Sequence, residues 1–273
     1  KVLRVPLKLK FYYLLSRFIQ NKKTPNFSMD IPRDIREGEE FSLDELKKYL
    51  SENNISAENL SLKQFPSGYS NLTYFLQSSS KQFVLRRPPF GAKSLQGGHD
   101  MLREYNVLKN LKSQFSKVPD VFLYCDNNEI LGAPFYLMER VEGYIIRPNL
   151  QQKDSPGSDI IQNVSKSLVS TLVELHNVNI EKANLKDLGN INGYVKRQVE
   201  GWIKRYNHSK TDNISNMDFI SSWLYENQPS EVGSSIVHND FKYDNLVLDK
   251  DDFSKISAVL DWEMATIGDP FMD

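Results

Sequence analysis

The chain has 273 residues, of which 40% are hydrophobic and 25% are charged, as in a globular protein with one large domain or two small ones. Its 34 basic and 35 acidic side chains give a formal net charge of -1, which excludes the basic balance expected of a nucleic-acid-binding domain. The single cysteine, Cys125, excludes an intramolecular disulfide and a cysteine-based zinc site. This fits a reducing compartment, and since no apolar run reaches the ~20 residues of a membrane span, we expect a cytoplasmic protein.

The N-terminal segment is basic. Residues 1–23, KVLRVPLKLKFYYLLSRFIQNKK, contain seven Lys or Arg and no acid. We expect residues 1–35 to form a basic extension and linker, packed on the domain or frayed. A helix on a membrane surface and a transit-type leader are the alternatives that we favour less.

Residues 36–142 show the pattern of a small antiparallel sheet with a helix. SLDELKKYLSENN predicts a helix in which Ser42 is the N-cap and Glu45 stands at the capping-box spacing. LKQFPSGYSNLTYFLQSSSKQFVLRRPPFG predicts three strands separated by a glycine turn and a serine turn. GGHDMLREYNVLKNLKSQF predicts a helix, and VFLYCDNNEILGAPFYLMERVEG predicts two strands around an Asn-Asn turn. We expect these residues to form one lobe.

Residues 143–273 have a more helical pattern. IIQNVSKSLVSTLVELHNV places Val164, Leu168, Leu172 and Leu175 on one helical face. NGYVKRQVEGWIKRYNH and NMDFISSWLYEN predict two further helices. The predicted fold class is therefore α+β, with a small β-rich lobe joined to a mainly helical lobe, and junctions of this kind favour clefts.

Three polar side chains stand out in the second lobe. Asp240 and Asn245 are five residues apart in IVHNDFKYDNLVLD, between two strand-like runs, and Asp261 follows the apolar run ISAVL. Neighbouring strands would bring the three together at one end. Phosphoryl transfer needs such a set, because a carboxylate orients the attacking hydroxyl while an amide oxygen and a second carboxylate hold Mg²⁺. Lys242 would balance the charge of the transferring phosphate.

The spacing from His238 to Asn245 matches the kinase pattern H-x-D-x-x-x-x-N. The alternative is an Asx-rich turn with surface charges. The occurrence of AVLDWE downstream favours the phosphotransferase interpretation.

The first lobe contains two features suited to binding phosphate. PSGYSNLTY places Gly68 at a turn between strands, where backbone N–H groups would cover a triphosphate; an ordinary hairpin is the alternative. QFVLRRPP places Arg86 on a strand where kinases have the lysine of V-A-I-K. Arginine is permanently charged and binds phosphate through two N–H groups. The alternative for Arg86 is a surface ion pair.

The helix predicted over residues 99–115 contains an acid on its apolar face. Its apolar stripe consists of Met101, Tyr105, Leu108 and Leu111. Glu104 lies along this stripe, and a buried carboxylate needs a cationic partner. Arg86 is the expected partner, as in the Lys–Glu pair of kinases, and Arg103 and Arg87 are the alternatives.

Together these residues resemble the aminoglycoside phosphotransferase family, which has a protein-kinase-like fold. Within that family the sequence is most similar to the kinase-like amino-terminal domain of acyl-CoA dehydrogenase family members 10 and 11. The similar segments are REGEEFSLDELKKYL, GYSNLTY, FVLRRPP, REYNVLKNL, LMERVEG, LVELHNV, VHNDFKYDN and VLDWEMATIGDPFMD. They run from about Arg36 to the last residue, and VHNDFKYDN together with LDWE and GDP is the most specific combination.

The resemblance implies an ATP- and Mg²⁺-dependent enzyme and a role for each matching residue. Asp240 would be the catalytic aspartate, and Asn245 and Asp261 would bind the metal. Arg86 would hold the α- and β-phosphates, and Glu104 would orient it.

The resemblance also implies how the nucleotide is enclosed. Gly68, Ser70 and Asn71 would lie in the loop that covers the phosphates. Backbone groups from Glu139 to Val141, between the lobes, would contact the adenine.

Other residues have supporting roles by the same resemblance. His238 would be part of the scaffold of the catalytic loop, and Asp273 would cap the backbone of that loop. Glu263 would either support the metal site or be a surface acid. Asn239 departs from the family, which commonly has glycine there, and the family continues beyond the position of Asp273 with helices that complete the larger lobe.

The sequence therefore predicts a kinase of a small-molecule hydroxyl. The resemblance favours a hydroxyacyl-CoA or similar metabolite over an aminoglycoside as the acceptor. The alternative from another class is a nucleotide-binding pseudokinase or interaction domain without turnover. Retention of Asp240, Asn245 and Asp261 argues against it, and arginine at the lysine position argues for it.

Overall fold

The computed structural model describes residues 26–28, 31–66, 70–91, 99–147 and 158–273. The basic segment of residues 1–23, with its alternative interpretations, and Gly68 lie outside the described residues. Among the residues described, no helix has the length and apolar character needed to cross a membrane.

A five-stranded antiparallel sheet forms the first lobe. Its strands are β2 (Ser61–Gln64), β3 (Leu72–Gln77), β4 (Gln82–Arg87), β5 (Val121–Cys125) and β6 (Phe135–Glu139). They lie in the order β2-β3-β4-β6-β5. The register places Arg86 of β4 opposite Thr73 of β3 and Tyr136 of β6. Arg86 therefore lies in the middle of the sheet, where both neighbouring strands fix its backbone.

Two helices of this lobe match the sequence prediction, the first from its predicted N-cap and the second, predicted over residues 99–115, in a shorter form. Helix α1 (Leu43–Glu52) is capped by the Ser42 hydroxyl, which accepts a hydrogen bond from the N–H of Glu45. Helix α2 (Met101–Leu111) is capped by Asp100. Most of the predicted apolar stripe of α2 is buried, and Glu104 is buried with it. A carboxylate is thus carried into the core, as the stripe predicted.

Two local details differ from the sequence prediction. The segment between β5 and β6 contains a one-turn helix, α3 (Asn128–Leu131), because Asn127 caps its N-terminus and Gly132 ends it with a φ of 76°. The predicted linker contains a strand, β1 (Asn26–Ser28), paired antiparallel with β7 (Ile145–Arg147). A one-turn helix and a pair of three-residue strands far apart in the sequence are both too short to produce a hydrophobic periodicity. The sequence pattern therefore predicted neither element.

The second lobe combines helices with short strand pairs. Its helices are α4 (Ser158–His176), α5 (Tyr194–Ser209) and α6 (Met217–Glu226). Its strands are β8 (Ser235–Val237), β9 (Leu246–Leu248), β10 (Ile256–Val259) and β11 (Thr266–Gly268). β9 pairs with β10 and β8 pairs with β11, both antiparallel. The predicted α+β architecture of two lobes is confirmed.

The main hydrophobic core connects the two lobes. Leu108 and Leu111 of α2 share this core with Ile236 of β8 and Leu246 of β9. Trp262, fully buried just after β10, belongs to the same core and packs edge-on against Phe115. Burial of such large apolar side chains contributes about 1.5–3 kcal/mol each. The core thus fixes α2, with Glu104, against the segment that carries Asp261.

Candidate active site

The loop between β8 and β9 and the end of β10 lie side by side. A 3₁₀ turn, Tyr243–Asn245, leads into β9, and the N–H of Leu260 donates to the carbonyl of Asn245 at 2.8 Å. Asp261 follows with a left-handed φ of 68°. The antiparallel pairing of β9 and β10 thus places Asn245 beside Asp261, as the order of strands predicted.

Asp240 is held by Asn245 and Lys242. The Asn245 Nδ2 donates to the carbonyl and to Oδ2 of Asp240, both at 2.9 Å. Lys242 Nζ lies 2.8 Å from the same Oδ2. The hydrogen bond to Asp240 raises the pKa of Lys242, so that Lys242 is a cation next to the predicted catalytic carboxylate.

Asp273 caps the backbone of this loop. Its two carboxylate oxygens accept from the N–H of His238 at 2.7 Å and from the N–H of Asn239 at 2.6 Å. Its Oδ2 is also 3.1 Å from Nε2 of His176. Burial acts to raise the pKa of Asp273, but these donors outweigh it and the pKa is lowered. Asn239 adopts a φ of 64°, the left-handed conformation that glycine and asparagine tolerate.

His238 has the contacts of a scaffold residue. It is fully buried, its Nε2 lies 3.0 Å from the carbonyl of Leu260, and its Nδ1 accepts from the N–H of Asp240. The carbonyl contact requires the proton on Nε2. Burial lowers the pKa of His238, so that the neutral ring connects the end of β10 to the loop of Asp240.

Three carboxylates converge on the guanidinium of Arg86. Its Nη1 lies 3.1 Å from Glu104 Oε1, and its Nη2 lies 2.9 Å from Asp261 Oδ1 and 3.2 Å from Glu263 Oε2. Burial disfavours the charge on Arg86, yet the surrounding acids hold its pKa well above the usual value. Burial also raises the pKa of Glu104. The expected pair of Arg86 and Glu104 is present.

The two alternative partners of Glu104 make other contacts. Arg87 donates to the carbonyl of Leu131 at 2.8 Å and stacks on Phe90. Arg103 donates to the carbonyls of Glu263 and Ala265. Arg103 therefore joins α2 to the backbone that follows Asp261.

Glu263 is the residue whose position the sequence left open. Its Oε2 accepts from Nδ2 of Asn71 at 2.6 Å as well as contacting Arg86. Burial, and then Asp261, raise the pKa of Glu263 to about 7. It is therefore not a surface acid. Its position two residues after Asp261 indicated that Glu263 lies in the site. Nothing in the sequence indicated that Asn71 would be its hydrogen-bond partner.

A cleft of about 170 Å³ lies between the lobes. The predicted site residues that line it are Ser70, Asn71, Arg86, Glu139, Val141, Asn245 and Asp261. Glu104 lies behind Arg86, and Asp240 and Lys242 adjoin the cleft through Asn245. Two further basic side chains in the lining, Arg140 and Arg147, were not among the predicted site residues.

The donor set of the cleft fits a magnesium ion bound together with a phosphate. Nδ2 of Asn245 is occupied by Asp240, so the amide oxygen is the atom suited to a cation. Asp261 supplies a carboxylate beside it. Mg²⁺ uses one or two protein carboxylates and completes its shell with substrate phosphates and water. Within the described part of the chain, no three His, Cys, Asp or Glu side chains are grouped to hold a metal by themselves.

Comparison with known families gives one extensive match. The family model described as "Phosphotransferase enzyme family" matches residues 61–273. The matched region contains the five-stranded sheet, helix α2 and every predicted site residue.

Named relatives are similar over most of this chain. Acyl-CoA dehydrogenase family member 11 of Rattus norvegicus is 39% identical over 254 residues, which are 90% of this chain and 32% of that protein. Acyl-CoA dehydrogenase family member 10 of Mus musculus is 34% identical over 244 residues, 88% of this chain and 22% of that protein. The chain thus spans no more than about a third of the length of these relatives.

Solved structures share the fold. A protein of Ralstonia eutropha JMP134, named "putative aminoglycoside phosphotransferase", superimposes with a TM-score of 0.71 at 30% identity, covering 85% of this chain and 67% of that one. The GDP and kanamycin complex of the aminoglycoside phosphotransferase APH(2")-IIIa superimposes with a TM-score of 0.62 at 17% identity, covering 84% and 75%. The second match supports the fold alone.

Proposed function

Because this chain belongs to the phosphotransferase enzyme family, we propose that it transfers the terminal phosphoryl group of ATP to a hydroxyl group of a small molecule. The observation that carries this proposal is the position of Arg86. Its guanidinium lines the cleft and contacts Asp261. Asn245 lines the same cleft, and Asp240 accepts a hydrogen bond from Asn245. A phosphate-binding cation thus adjoins candidate metal ligands and a candidate proton acceptor.

The lining of the cleft suits a nucleotide. Apolar side chains, among them Phe65, Val84 and Leu260, offer a surface for the base. Backbone groups at Glu139–Val141 adjoin this apolar part, where they would hydrogen-bond the adenine. Arg86, with backbone N–H groups of Ser70 and Asn71, would bind the phosphates at the other end, because an arginine binds phosphate oxygens through paired N–H groups.

The loop of Asp240 supplies the groups for transfer. Asp240 would accept a hydrogen bond from the acceptor hydroxyl, orient it, and take its proton. Lys242, paired with Asp240, would stabilise negative charge on the transferring group. Asn245 and Asp261 would hold Mg²⁺, which supplies neutralisation of the phosphate charge when it is bound. Asp273 and His238 would keep the loop backbone in place.

The net charge of helix α5 supports an anionic acceptor. Helix α5 begins at Tyr194, whose hydroxyl donates to Asn239 at 3.1 Å, next to Asp240. This helix carries four Lys or Arg and one Glu, so its field attracts anions and repels a polycation. A hydroxyacyl-CoA-like metabolite meets this requirement and an aminoglycoside does not. The names of the relatives, which are acyl-CoA dehydrogenase family members, support the same choice.

A nucleotide-binding module without turnover is the second candidate. The observation that favours it is the ion pair between Arg86 and Asp261 at 2.9 Å, which engages a predicted metal ligand with a side-chain cation. For nucleotide and metal to bind, Arg86 would have to release Asp261 and contact phosphate instead.

Nucleotide-dependent stabilisation and turnover test both candidates. Unfolding of the protein is followed with ATP or ADP, with and without Mg²⁺, and a ligand at ~100 times its Kd should stabilise by about 2.7 kcal/mol. Phosphoryl transfer from radiolabelled ATP to hydroxyacyl-CoA and to kanamycin follows, with Asp240→Asn as the control. Absence of stabilisation would rule out both candidates, and stabilisation with equal turnover in the two proteins would leave only the module.

A further inference from the structure

Asn71 connects the phosphate-covering turn to the second lobe. It is almost fully buried and immediately precedes β3, and its Nδ2 donates to Glu263 Oε2 at 2.6 Å. Its Oδ1 lies 3.0 Å from Nδ1 of His99, which precedes α2. The exit of the turn is therefore tied to an acid from the opposite lobe.

The other contacts of Glu263 fix it in place. Its Oε2 is also 3.2 Å from Nη2 of Arg86, and its backbone carbonyl accepts from Arg103 at 3.2 Å. The preceding residue, Trp262, donates its backbone N–H to Glu104 at 3.1 Å. Both the side chain and the main chain around Glu263 are thus held by residues of the first lobe.

Glu263 does not line the cleft itself. Its carboxylate oxygen is shared between one residue that adjoins the covering turn and one residue that faces the phosphates. A group with these contacts acts on a bound nucleotide through its neighbours rather than by touching it.

We propose that Glu263 is a positioning residue that sets the distance between Arg86 and the exit of the phosphate-covering turn at Asn71. This inference rests on the proposed function. The carboxylate presents one oxygen to two donors, Asn71 just before β3 and Arg86 on β4, so that Asn71 and the guanidinium move together. An in-line transfer is sensitive to such spacing, because misplacement of reacting groups by about 1 Å costs on the order of 100-fold in rate.

The prediction is a larger effect on kcat than on KM. In Glu263→Gln and Asn71→Ala, Arg86 still contacts the phosphates, so binding of ATP is largely kept. Loss of the fixed spacing lowers kcat for ATP turnover by about 10–100-fold, while KM for ATP changes less than about threefold. Because both variants break the same hydrogen bond between Asn71 and Glu263, their losses are less than additive in the double variant.

The experiment measures kcat and KM for ATP, with acceptor or with water, for the wild type, both single variants and the double variant. Glu226→Gln, an exposed acid on α6, is the matched control and keeps wild-type values. Thermal unfolding of each variant verifies folding, and Asn71→Ser serves if Asn71→Ala is unstable.

The outcomes separate this inference from the proposed function. If the wild type neither binds nor hydrolyses ATP, the proposed function fails and takes the inference with it. If the wild type is active, additive losses in the double variant, or equal effects on kcat and KM, overturn the inference alone. Glu263→Gln could instead raise only the Mg²⁺ concentration needed for half-maximal rate, with kcat restored at saturating Mg²⁺. This result would make Glu263 a metal ligand and would also overturn the inference.

Discussion

The guanidinium of Arg86 and the carboxylate of Glu104 form an ion pair, 3.1 Å apart, between the central sheet and helix α2. Both side chains are nearly inaccessible, at 9% and 1% exposure. Asp261 and Glu263 approach the same guanidinium from the second lobe. Arg86 thus joins the central sheet to helix α2 and to the second lobe.

Removal of the cation should destabilise the protein. Arg86→Met leaves Glu104 buried without its partner, and breaking a buried ion pair in this way costs about 3–5 kcal/mol. Urea unfolding, followed by circular dichroism, should show this loss in the free energy of unfolding. Lys48→Met is the control, because the Lys48–Glu52 pair is exposed and such pairs contribute little. An Arg86→Met protein as stable as the wild type would show that Glu104 is neutral or finds another donor.

Asp240→Asn should abolish most turnover and spare nucleotide binding. The substitution keeps the shape of the side chain but removes the proton acceptor, and a general base contributes about 10²–10⁴-fold to rate. The contact with Lys242 is weakened, so the free lysine should keep or strengthen ATP binding. Single-turnover transfer and ADP calorimetry measure the two effects. Asp218→Asn on α6 is the control, and a matching loss in that variant would point to a general effect on folding.

Asp261→Asn should raise the Mg²⁺ requirement of nucleotide binding. The predicted metal site has a single carboxylate, Asp261, with the amide of Asn245, and the loss of that carboxylate removes the charged ligand. Calorimetric titration of ADP at a series of Mg²⁺ concentrations should shift its midpoint upward. Binding of ADP in EDTA should not weaken, because Arg86 gains freedom to contact phosphate. An unchanged midpoint would exclude Asp261 as a ligand.

The contribution of His238 to the free energy of unfolding should fall as the pH drops below about 6.5. Burial in the folded protein lowers the pKa of His238 below its ordinary value of 6.5. As the pH falls, the unfolded chain therefore takes up this proton before the folded protein does. Between the unfolded and folded pKa values the unfolded state binds more protons, and the free energy of unfolding therefore decreases with falling pH. At pH above 6.5 the ring is neutral in both states and this contribution is constant.

The measurement is urea unfolding at pH 8, 7, 6 and 5.5 for the wild type and two variants. His238→Asn should lack this decrease relative to the wild type, since the titrating ring is gone while Glu263, whose pKa is raised to about 7, titrates in both proteins. His208→Gln, at an exposed position near the end of α5, should follow the wild type. Parallel curves for all three proteins would assign the pH dependence to other groups.

Much of the candidate site was encoded locally. The spacing from His238 to Asn245 places both on one loop, and strand pairing across a short connection then brings Asp261 beside them. The cap at Ser42 and the buried stripe of α2 were predicted for the same reason. Hydrogen bonds and apolar periodicity within a few residues decide such features.

The partners of Arg86 were decided over long separations. The sequence offered Arg86, Arg87 and Arg103 as partners of Glu104, and left the position of Glu263 open. Their contacts depend on which face of β4 meets α2 and on how Trp262 packs in the shared core.

The sequence by itself determined which side chains would stand on the loop of Asp240, because the strands on either side of it are neighbours in the chain. Only the tertiary structure decided that Glu263 would meet Asn71, 192 positions away, and that β1 would pair with β7. Contacts of this kind depend on the packing of whole lobes, and no periodicity within a short segment specifies the orientation at which two lobes meet.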